Sequence, residues 1–426
     1  MRLIDAHALD FASIVRPGDL VAWPQVNAEP LTLTRALMAQ RRAIGRFRAF
    51  VGISQFETVA VEHADLVDFK SYCGAGRNRA LARAGLLDPC CWHYSTLAQG
   101  FESGSTPIDV LLVQVAPPDD HGRYSLGVSY EYLAAAMAQA RIVVAEINDR
   151  CPWTFGEPAL AEADIDIAVR VCRQLEPMPP AEADAVERTV ARRVAGLIDD
   201  RATLQLGIGT LPSAVLDELD GRRDLGVHSG QIGDAIAALS ERGAITNAHK
   251  TIDRGVSVAG AMMGGERIHR YVHRNPAFSF RPTSYTHDAG VLGSIDRFAA
   301  VNSAIEVDLT GQINAEEAGG HYVGALGGLT DFLRGAQRSR GGLPIVAMPS
   351  RFRDAGRIVA ALSGPTTVAR ADAGIVVTEY GVADLRGASI AQRVRRMIDI
   401  AHPDDRVALE RTAHPILRAS SSRNPS

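Results

Sequence analysis

The sequence predicts an α/β fold with two open, mainly parallel sheets. In the first half, an apolar run at residues 109–115 is followed by a helical pattern at 131–140 and a second apolar run at 141–147. This alternation of strand, helix and strand is typical of a parallel sheet. The second half repeats it, because apolar residues at helical spacing over 185–198 precede a short apolar run at 204–206. Each half of the chain therefore predicts one sheet.

A proline-rich segment separates the two halves. Three prolines lie within residues 176–184, where they break regular structure. We therefore predict an N-terminal domain at 1–178 and a C-terminal domain at 185–417, which face each other across a cleft. Residues 418–426 are small and polar, and we expect them to form a frayed tail. Ligands of such open sheets bind beyond the carboxyl ends of the strands.

The composition excludes several classes of partner. The chain has 426 residues and is 46% hydrophobic, which suffices for two cores at ~150 residues per domain. Lys and Arg number 45 against 49 Asp and Glu, a net charge of −4, so no bulk positive field attracts nucleic acid or an anionic membrane. No apolar run approaches the ~20 residues of a membrane helix. We expect neither nucleic acid nor a membrane as a partner.

Cysteine and histidine usage indicates a compartment and argues against a metal. The five cysteines include no C-x-x-C pair, and their odd number argues against a complete set of disulfides. A reducing cytoplasm is the expected location. The 12 histidines form no H-E-x-x-H motif or tight His/Cys cluster, so no metal site is expected.

A glycine-containing turn is the most informative local motif. The apolar run at 204–206 is followed by Gly207 and Gly209, which permit a tight turn, and by Pro212, which suits a first helical position. Such a turn presents backbone N–H groups to an anion or an oxyanion. Pro212 replaces the third glycine of a dinucleotide-binding fingerprint, so an ordinary strand-to-helix turn remains the alternative.

Several long stretches match one enzyme family in the order in which they occur along the chain. The main stretches are 207–219, 224–234, 299–316, 327–342 and 375–387, with shorter matches at 400–406, 18–30 and 109–129. They resemble the acetyl-CoA hydrolase/transferase family, which includes 4-hydroxybutyrate and related short-acyl CoA-transferases. The resemblance implies two α/β domains of CoA-transferase type, acyl-CoA and a small carboxylic acid as substrates, no tightly bound cofactor, and a homo-oligomer.

The resemblance also implies where the substrate binds. It places CoA and the thioester oxyanion at the glycine turn, the acyl group near one asparagine, and a second pair of glycines opposite. These residues are Gly207, Ile208, Gly209, Thr210, Leu211, Asn302, Gly327 and Gly328. From the residues alone, the polar face of the strand that carries Asn302 could also face water.

The chain departs from this family at Gly230. The resemblance implies a glutamate at this position, whose carboxylate forms a covalent glutamyl-CoA thioester. Glycine has no side chain that could do this, and the neighbouring Gln231 carries an unreactive amide. His228 could act as a general base for a water beside Gly230, or it could be a packed structural histidine.

Another segment must supply a carboxylate if the reaction still needs one. Glu57 and Glu62 follow the apolar run at 50–54, just past a predicted strand end, where active-site groups tend to lie. We therefore predict Glu57 and Glu62 as candidate catalytic residues. Plain surface acids are the alternative.

Three functions are consistent with these observations. The first is a CoA-transferase that moves CoA from acetyl- or succinyl-CoA to a short acid such as itaconate or a hydroxybutyrate, with itaconate CoA-transferases as a natural comparison. The second is an acyl-CoA hydrolase, or a lyase, that needs no glutamyl intermediate. The third is a CoA-binding homologue without activity, which the loss of the expected glutamate would suggest.

Overall fold

A parallel sheet forms the framework of the first half. The structure is a computed structural model that describes residues 1–177, 182–207 and 209–421. The strands of this sheet are β1 Arg2–Ile4, β2 Leu20–Trp23, β3 Phe47–Val51, β4 Val67–Ser71, β5 Leu87–Pro89, β6 Val110–Val115, β7 Ile142–Asn148 and β8 Ile167–Val171. They lie in the order β1-β8-β7-β6-β2-β3-β4-β5, and every neighbouring pair is parallel.

The strand–helix–strand prediction for the first half is confirmed. The predicted strands at 109–115 and 141–147 form β6 and β7, which pair in register from Val110 with Ile142 onward. All six residues of β6 are buried, as expected for a parallel strand that is covered on both faces. The helices of this half are α1 Leu31–Ile44, α2 Asn78–Arg83, α3 Tyr94–Glu102 and α4 Leu133–Gln139.

A second, mainly parallel sheet forms the framework of the other half. The strands of this half are β9 Thr203–Leu206, β10 Gly226–Ile232, β11 Ser257–Met262, β12 Phe278–Phe280, β13 Phe298–Asn302, β14 Glu306–Asp308, β15 Ile313–Asn314, β16 Glu317–Ala318, β17 His321–Tyr322, β18 Leu343–Ala347, β19 Arg351–Phe352, β20 Ala355–Gly356, β21 Ile358–Val359, β22 Ile375–Thr378 and β23 Gly381–Asp384. The large sheet has the order β12-β11-β10-β9-β13-β18-β22-β23. Its one antiparallel pair among the described residues is β22 with β23.

Nine helices accompany the second sheet within the described ranges. They are α5 Ala185–Leu197, α6 Thr210–Asp217, α7 Asp234–Glu241, α8 Glu266–Val272, α9 Thr283–Thr286, α10 Ala289–Gly293, α11 Leu329–Arg338, α12 Ile390–Asp399 and α13 Pro403–Ser421. Helix α13 continues through Ser421, so the first four residues of the predicted tail are helical, and 422–426 lie outside the described residues. Among the helices described, none has the length and apolarity needed to cross a membrane.

The two halves are joined by backbone pairing as well as by apolar packing. The segment before α4 runs along the second sheet, where Ser129 pairs with Ala261 and Glu131 pairs with Pro282. The Tyr130 N–H donates to the carbonyl of Gly260 at 2.9 Å. A loop of the first half therefore lies against β11 and brings Glu131 close to the ends of the second sheet's strands.

Candidate active site

A central cavity lies between the carboxyl ends of strands from both sheets. It measures about 300 Å³. On one side, Ile53 and Tyr72 line it just beyond β3 and β4. On the other side, Gly207 lies just beyond β9, and Gly230 and Asn302 lie near the ends of β10 and β13. The cavity thus occupies the place where a ligand of open parallel sheets is expected.

The glycine turn borders this cavity. The Gly207 N–H donates to the carbonyl of Val301 at 3.0 Å, so it is already engaged and does not point to an oxyanion. Gly209 precedes α6 with a φ of +126°, a backbone conformation that only glycine adopts readily. Ile208 lies outside the described residues. The turn predicted from the sequence is therefore present, and its shape depends on Gly209.

Two further cavities adjoin the central cavity at this turn. A glycine-turn cavity of about 350 Å³ is lined by Gly207 and Gly209 among others, and an arginine-lined cavity of about 700 Å³ is lined by Gly209, Thr210 and Leu211. Ser303 lines both the central and the arginine-lined cavity. The turn therefore stands at the meeting point of three cavities.

The arginine-lined cavity combines three arginines with three carboxylates and exposed aromatic faces. Arg351 is paired with Asp405 at 2.5 Å, whereas the Arg353 guanidinium lies over the Phe352 ring, 5.5 Å from its centroid. Phe352 is 66% exposed, and Tyr380 also lines this cavity. Such a site can hold a phosphate and stack a flat heterocycle.

A buried carboxylate, Glu131, lines the central cavity. Gln25 Nε2 lies 2.7 Å from Glu131 Oε1 and 3.0 Å from Oε2, and the Tyr94 hydroxyl donates to Oε1 at 2.9 Å. The Ser129 hydroxyl donates to Oε2 at 2.8 Å. Burial raises the pKa of Glu131 above its ordinary value, and these hydrogen bonds oppose that rise. Sequence reasoning missed Glu131, although it lies two residues after the family-like stretch at 109–129.

Two tyrosines and a glutamine hold this carboxylate in place. Gln25 Oε1 accepts a hydrogen bond from the Tyr72 hydroxyl, which fixes the side-chain amide so that its nitrogen faces Glu131. Burial raises the pKa of Tyr72 and Tyr94 well above the ordinary value, so both hydroxyls keep their protons and remain donors. The cavity therefore contains one carboxylate whose orientation is set by several donors.

His287 occupies the space beside Gly230. A Cβ on Gly230 would lie 3.0 Å from both Cε1 and Nε2 of His287, and a Cβ on Gly328 would lie 2.7 Å from Nε2. The imidazole is confined between Phe332 and Tyr94, with ring centroids 4.5 Å and 5.0 Å away. Burial lowers the pKa of His287 to about 3, so the ring is neutral at ordinary pH. Both glycines leave room for this ring.

The structure brings most of the predicted binding residues to these cavities. Asn302 lines the central cavity and exchanges amide hydrogen bonds with Gln205 at 3.2 and 2.9 Å. Gly327 and Gly328 line the same cavity, just before α11. Asn302 therefore does not face bulk water, and its proximity to an acyl group stays a prediction.

The two predicted catalytic glutamates lie elsewhere. The Glu57 side chain is 58% exposed and paired with Arg35 at 2.8 Å, and Glu62 is exposed in the short 3-10 helix Val61–Asp65. After Ile53 the chain turns away from the central cavity, so a strand-end position did not bring Glu57 or Glu62 to it. In this arrangement they are surface acids, which was the alternative interpretation.

His228 is a packed histidine in this structure. Its ring faces Tyr285 and Phe298, at centroid distances of 5.7 and 6.5 Å, and the side chain is fully buried. Burial lowers the pKa of His228 to about 3. It is not among the residues that line the central cavity, so the geometry favours the structural role over the general base.

Comparison with known proteins identifies the family. Residues 2–178 match the acetyl-CoA hydrolase/transferase N-terminal domain, and residues 264–413 match the C-terminal domain of the same name. The chain is 36% identical over 340 residues to the 4-hydroxybutyrate coenzyme A transferase of Clostridium kluyveri, covering 78% of this chain and 79% of that protein. It is 33% identical over 423 residues to the butyryl-CoA:acetate CoA-transferase of Anaerostipes caccae, covering 94% and 93%.

Comparison with a solved structure shows the same fold. RipA from Yersinia pestis matches with a TM-score of 0.91 and 31% identity, over 97% of each chain. The predicted α/β architecture of CoA-transferase type is thereby confirmed. The chain belongs to the acetyl-CoA hydrolase/transferase family, a family of enzymes.

Proposed function

We propose that this protein is a CoA-transferase that moves CoA from a small acyl-CoA, such as acetyl- or succinyl-CoA, to a short carboxylic acid. One observation carries the proposal: three cavities adjoin at the turn that contains Gly207 and Gly209, and among their described lining residues the one buried carboxylate is that of Glu131 in the central cavity. CoA is long and has a charged nucleotide end and a reactive thioester end. The arginine-lined cavity suits the nucleotide end, and the central cavity with its carboxylate suits the thioester end.

The nucleotide end fits the arginine-lined cavity best. Arg353 can pair with a CoA phosphate, and the exposed ring of Phe352, with Tyr380 nearby, offers a face on which adenine can stack. The pantetheine arm would then pass Gly209 and Ser303, which border this cavity. This route ends in the central cavity, where Ser303 and Asn302 both form part of the wall.

The size of the central cavity limits the acid. At about 300 Å³, it lies at the lower end of the range for small-molecule sites, ~300–1,000 Å³. A two- to five-carbon acid fits such a space beside the thioester, and a long-chain acyl group does not. Acetate, a hydroxybutyrate and itaconate are therefore all proposed acceptors.

Hydrolysis is the second candidate function, and Gly230 favours it. Position 230 carries no carboxylate, and the strand end there is bordered by the amide of Gln231, which also lines the central cavity. A water held at this position could attack a thioester directly. Proteins of this family are described both as hydrolases and as transferases.

Exchange kinetics separate these functions. The protein is incubated with labelled acetyl-CoA and, in turn, succinate, itaconate, 4-hydroxybutyrate and a long-chain acid as the size control. A transferase gives label exchange with ping-pong kinetics for the short acids only, and a hydrolase gives net release of CoA without any acceptor. If the protein shows neither activity but its melting temperature rises with CoA, it is a CoA-binding homologue without activity. No melting shift at millimolar CoA would contradict all three functions.

A further inference from the structure

We infer that Glu131 is the catalytic carboxylate of the central cavity and takes the part that a side chain at position 230 cannot play. This inference rests on the proposed CoA-transferase function and names the residue that carries it out. Glu131 is 1% exposed, yet it forms part of the cavity wall. Among the described residues that line this cavity, Glu131 is the one with a carboxylate.

Glu131 borders the same strand end as Gly230. The point that a Cβ of Gly260 would occupy lies 2.9 Å from the carbonyl oxygen of Gly230 and 3.5 Å from Cγ of Glu131. The loop before α4, which packs against β11, thus places the Glu131 side chain next to the position from which the resemblance expects a glutamate to act. A thioester that reaches Gly230 therefore also comes within reach of Glu131.

The neighbours of Gly230 support a carboxylate that acts from position 131 and not from position 230. His287 fills the space into which a side chain at 230 would project, since the closest ring atoms lie 3.0 Å from an ideal Cβ. The imidazole accepts or donates one hydrogen bond with the Thr286 hydroxyl at 2.8 Å. It is held there by Phe332 and Tyr94. Tyr94 also donates to Glu131. The ring that blocks position 230, His287, and the Glu131 carboxylate therefore both contact Tyr94.

The hydrogen bonds of Glu131 fit a nucleophile that is held in one orientation. Tyr94 binds one oxygen and Ser129 binds the other. The Gln25 amide nitrogen spans both oxygens, at 2.7 and 3.0 Å, and the Gln231 side chain is a further hydrogen-bond partner of this carboxylate. Donors of this kind stabilise the ionised carboxylate against the cost of its burial, and the ionised form is the one that attacks.

The reaction balances with Glu131 as the carrier. Its carboxylate attacks the acyl-CoA carbonyl, the C–S bond breaks, and CoA leaves as a thiolate from the new acyl–glutamyl anhydride. The thiolate attacks the glutamyl carbonyl, and the donor acid leaves as a carboxylate. The acceptor carboxylate then attacks the glutamyl thioester and releases the thiolate, which attacks the acyl carbonyl of the second anhydride. The acceptor's CoA ester leaves, Glu131 is again a carboxylate, and no net proton is taken up.

Chemical trapping on the wild-type protein tests this assignment without any mutation. The protein is mixed with acetyl-CoA, treated with borohydride, which reduces a glutamyl thioester to the alcohol, and digested for mass spectrometry. A sample without acetyl-CoA is the control. We expect the reduced residue at 131. Transfer activity together with a reduced residue elsewhere, or with none, overturns the inference.

A matched pair of variants provides the second test. Glu131→Gln keeps the shape of the side chain and removes the nucleophile, so transfer should fall by ~1,000-fold or more. Glu29→Gln is the control, because Glu29 is equally buried, also has a raised pKa, and lies outside the cavity wall. CoA should raise the melting temperature of both variants as it does for the wild type. Equal turnover of the two variants overturns the inference.

The two proposals fail in different ways. If the wild-type protein neither exchanges nor hydrolyses acyl-CoA, both the proposed function and the role of Glu131 are wrong. If the wild type transfers CoA and Glu131 is neither marked nor required, only the assignment of Glu131 is wrong. Should Glu131→Gln fail to fold, Glu131→Asp and the trapping experiment on the wild type decide.

Discussion

Introducing a glutamate at position 230 should disrupt this site. In Gly230→Glu, the new Cβ would lie 3.0 Å from two ring atoms of His287 and 3.4 Å from Cζ of Phe332. The imidazole is 3% exposed and packs against Tyr94 and Phe332, so the new side chain can fit only if this ring shifts. Overpacking of a tight core costs ~1–3 kcal/mol of unfolding free energy. We expect Gly230→Glu to lose stability in this range.

A double-mutant cycle tests the cause of this loss. His287→Ala removes the ring that the new side chain meets, so the double variant Gly230→Glu/His287→Ala should be more stable than the two single losses predict. The expected coupling free energy is about 0.5–3 kcal/mol. Urea unfolding of the four proteins at one pH gives the coupling free energy directly.

A second glycine supplies the control for this cycle. A Cβ on the exposed Gly221 would meet nothing within 4 Å, so Gly221→Glu should change stability by less than ~0.5 kcal/mol. The reasoning is refuted if Gly230→Glu is as stable as the wild type, or if the losses of the single variants simply add. Either result would mean that His287 does not determine which residue is allowed at position 230.

Three further predictions follow from the geometry. Gly209→Val should lower turnover by ~100-fold or more, because a β-branched residue does not tolerate a φ of +126° and the turn loses its shape; near-normal kcat would show an ordinary turn. Arg353→Ala should raise the KM for acetyl-CoA ~10-fold with kcat little changed, as expected for a phosphate contact, and an unchanged KM would place the nucleotide elsewhere. Burial raises the pKa of Glu29 to about 7, so the folded state holds a proton that the unfolded chain releases near pH 4.5. The contribution of Glu29 to the free energy of unfolding is fully present below pH 4.5. It falls by roughly 3 kcal/mol as the pH rises through 7. Urea unfolding across this range should show a flatter profile for Glu29→Gln, and parallel profiles would contradict the prediction.

The sequence predicted those parts of the fold that depend on neighbours along the chain. Strands β6 and β7 and the helix between them are encoded by apolar periodicity over a few residues each, and periodicity of this kind is local. The turn at Gly207 and Gly209 was recognisable for the same reason, since glycine identity and backbone freedom belong to single positions.

The limits of sequence reasoning show at the predicted nucleophiles. Glu57 and Glu62 follow a correctly predicted strand end, but the chain leaves the cavity after Ile53, and the direction of a loop depends on what packs around it. Glu131 stands at the edge of a predicted helix, where periodicity makes a charged residue look like part of a solvated face. Its burial depends on the second sheet, which packs against the loop that carries it.

The family, the two α/β sheets and the glycine turn were predictable from the sequence, because long matched stretches and local patterns do not depend on tertiary contacts. Which carboxylate faces the cavity depends on tertiary packing. Gln25 and Glu131 are 106 residues apart in the chain, and His287 comes from the other half. Contacts over such separations, within one half or between the two, form only in the packed tertiary structure, so no pattern along the sequence reveals that Gly230 leaves room for one side chain while Glu131 lies next to it.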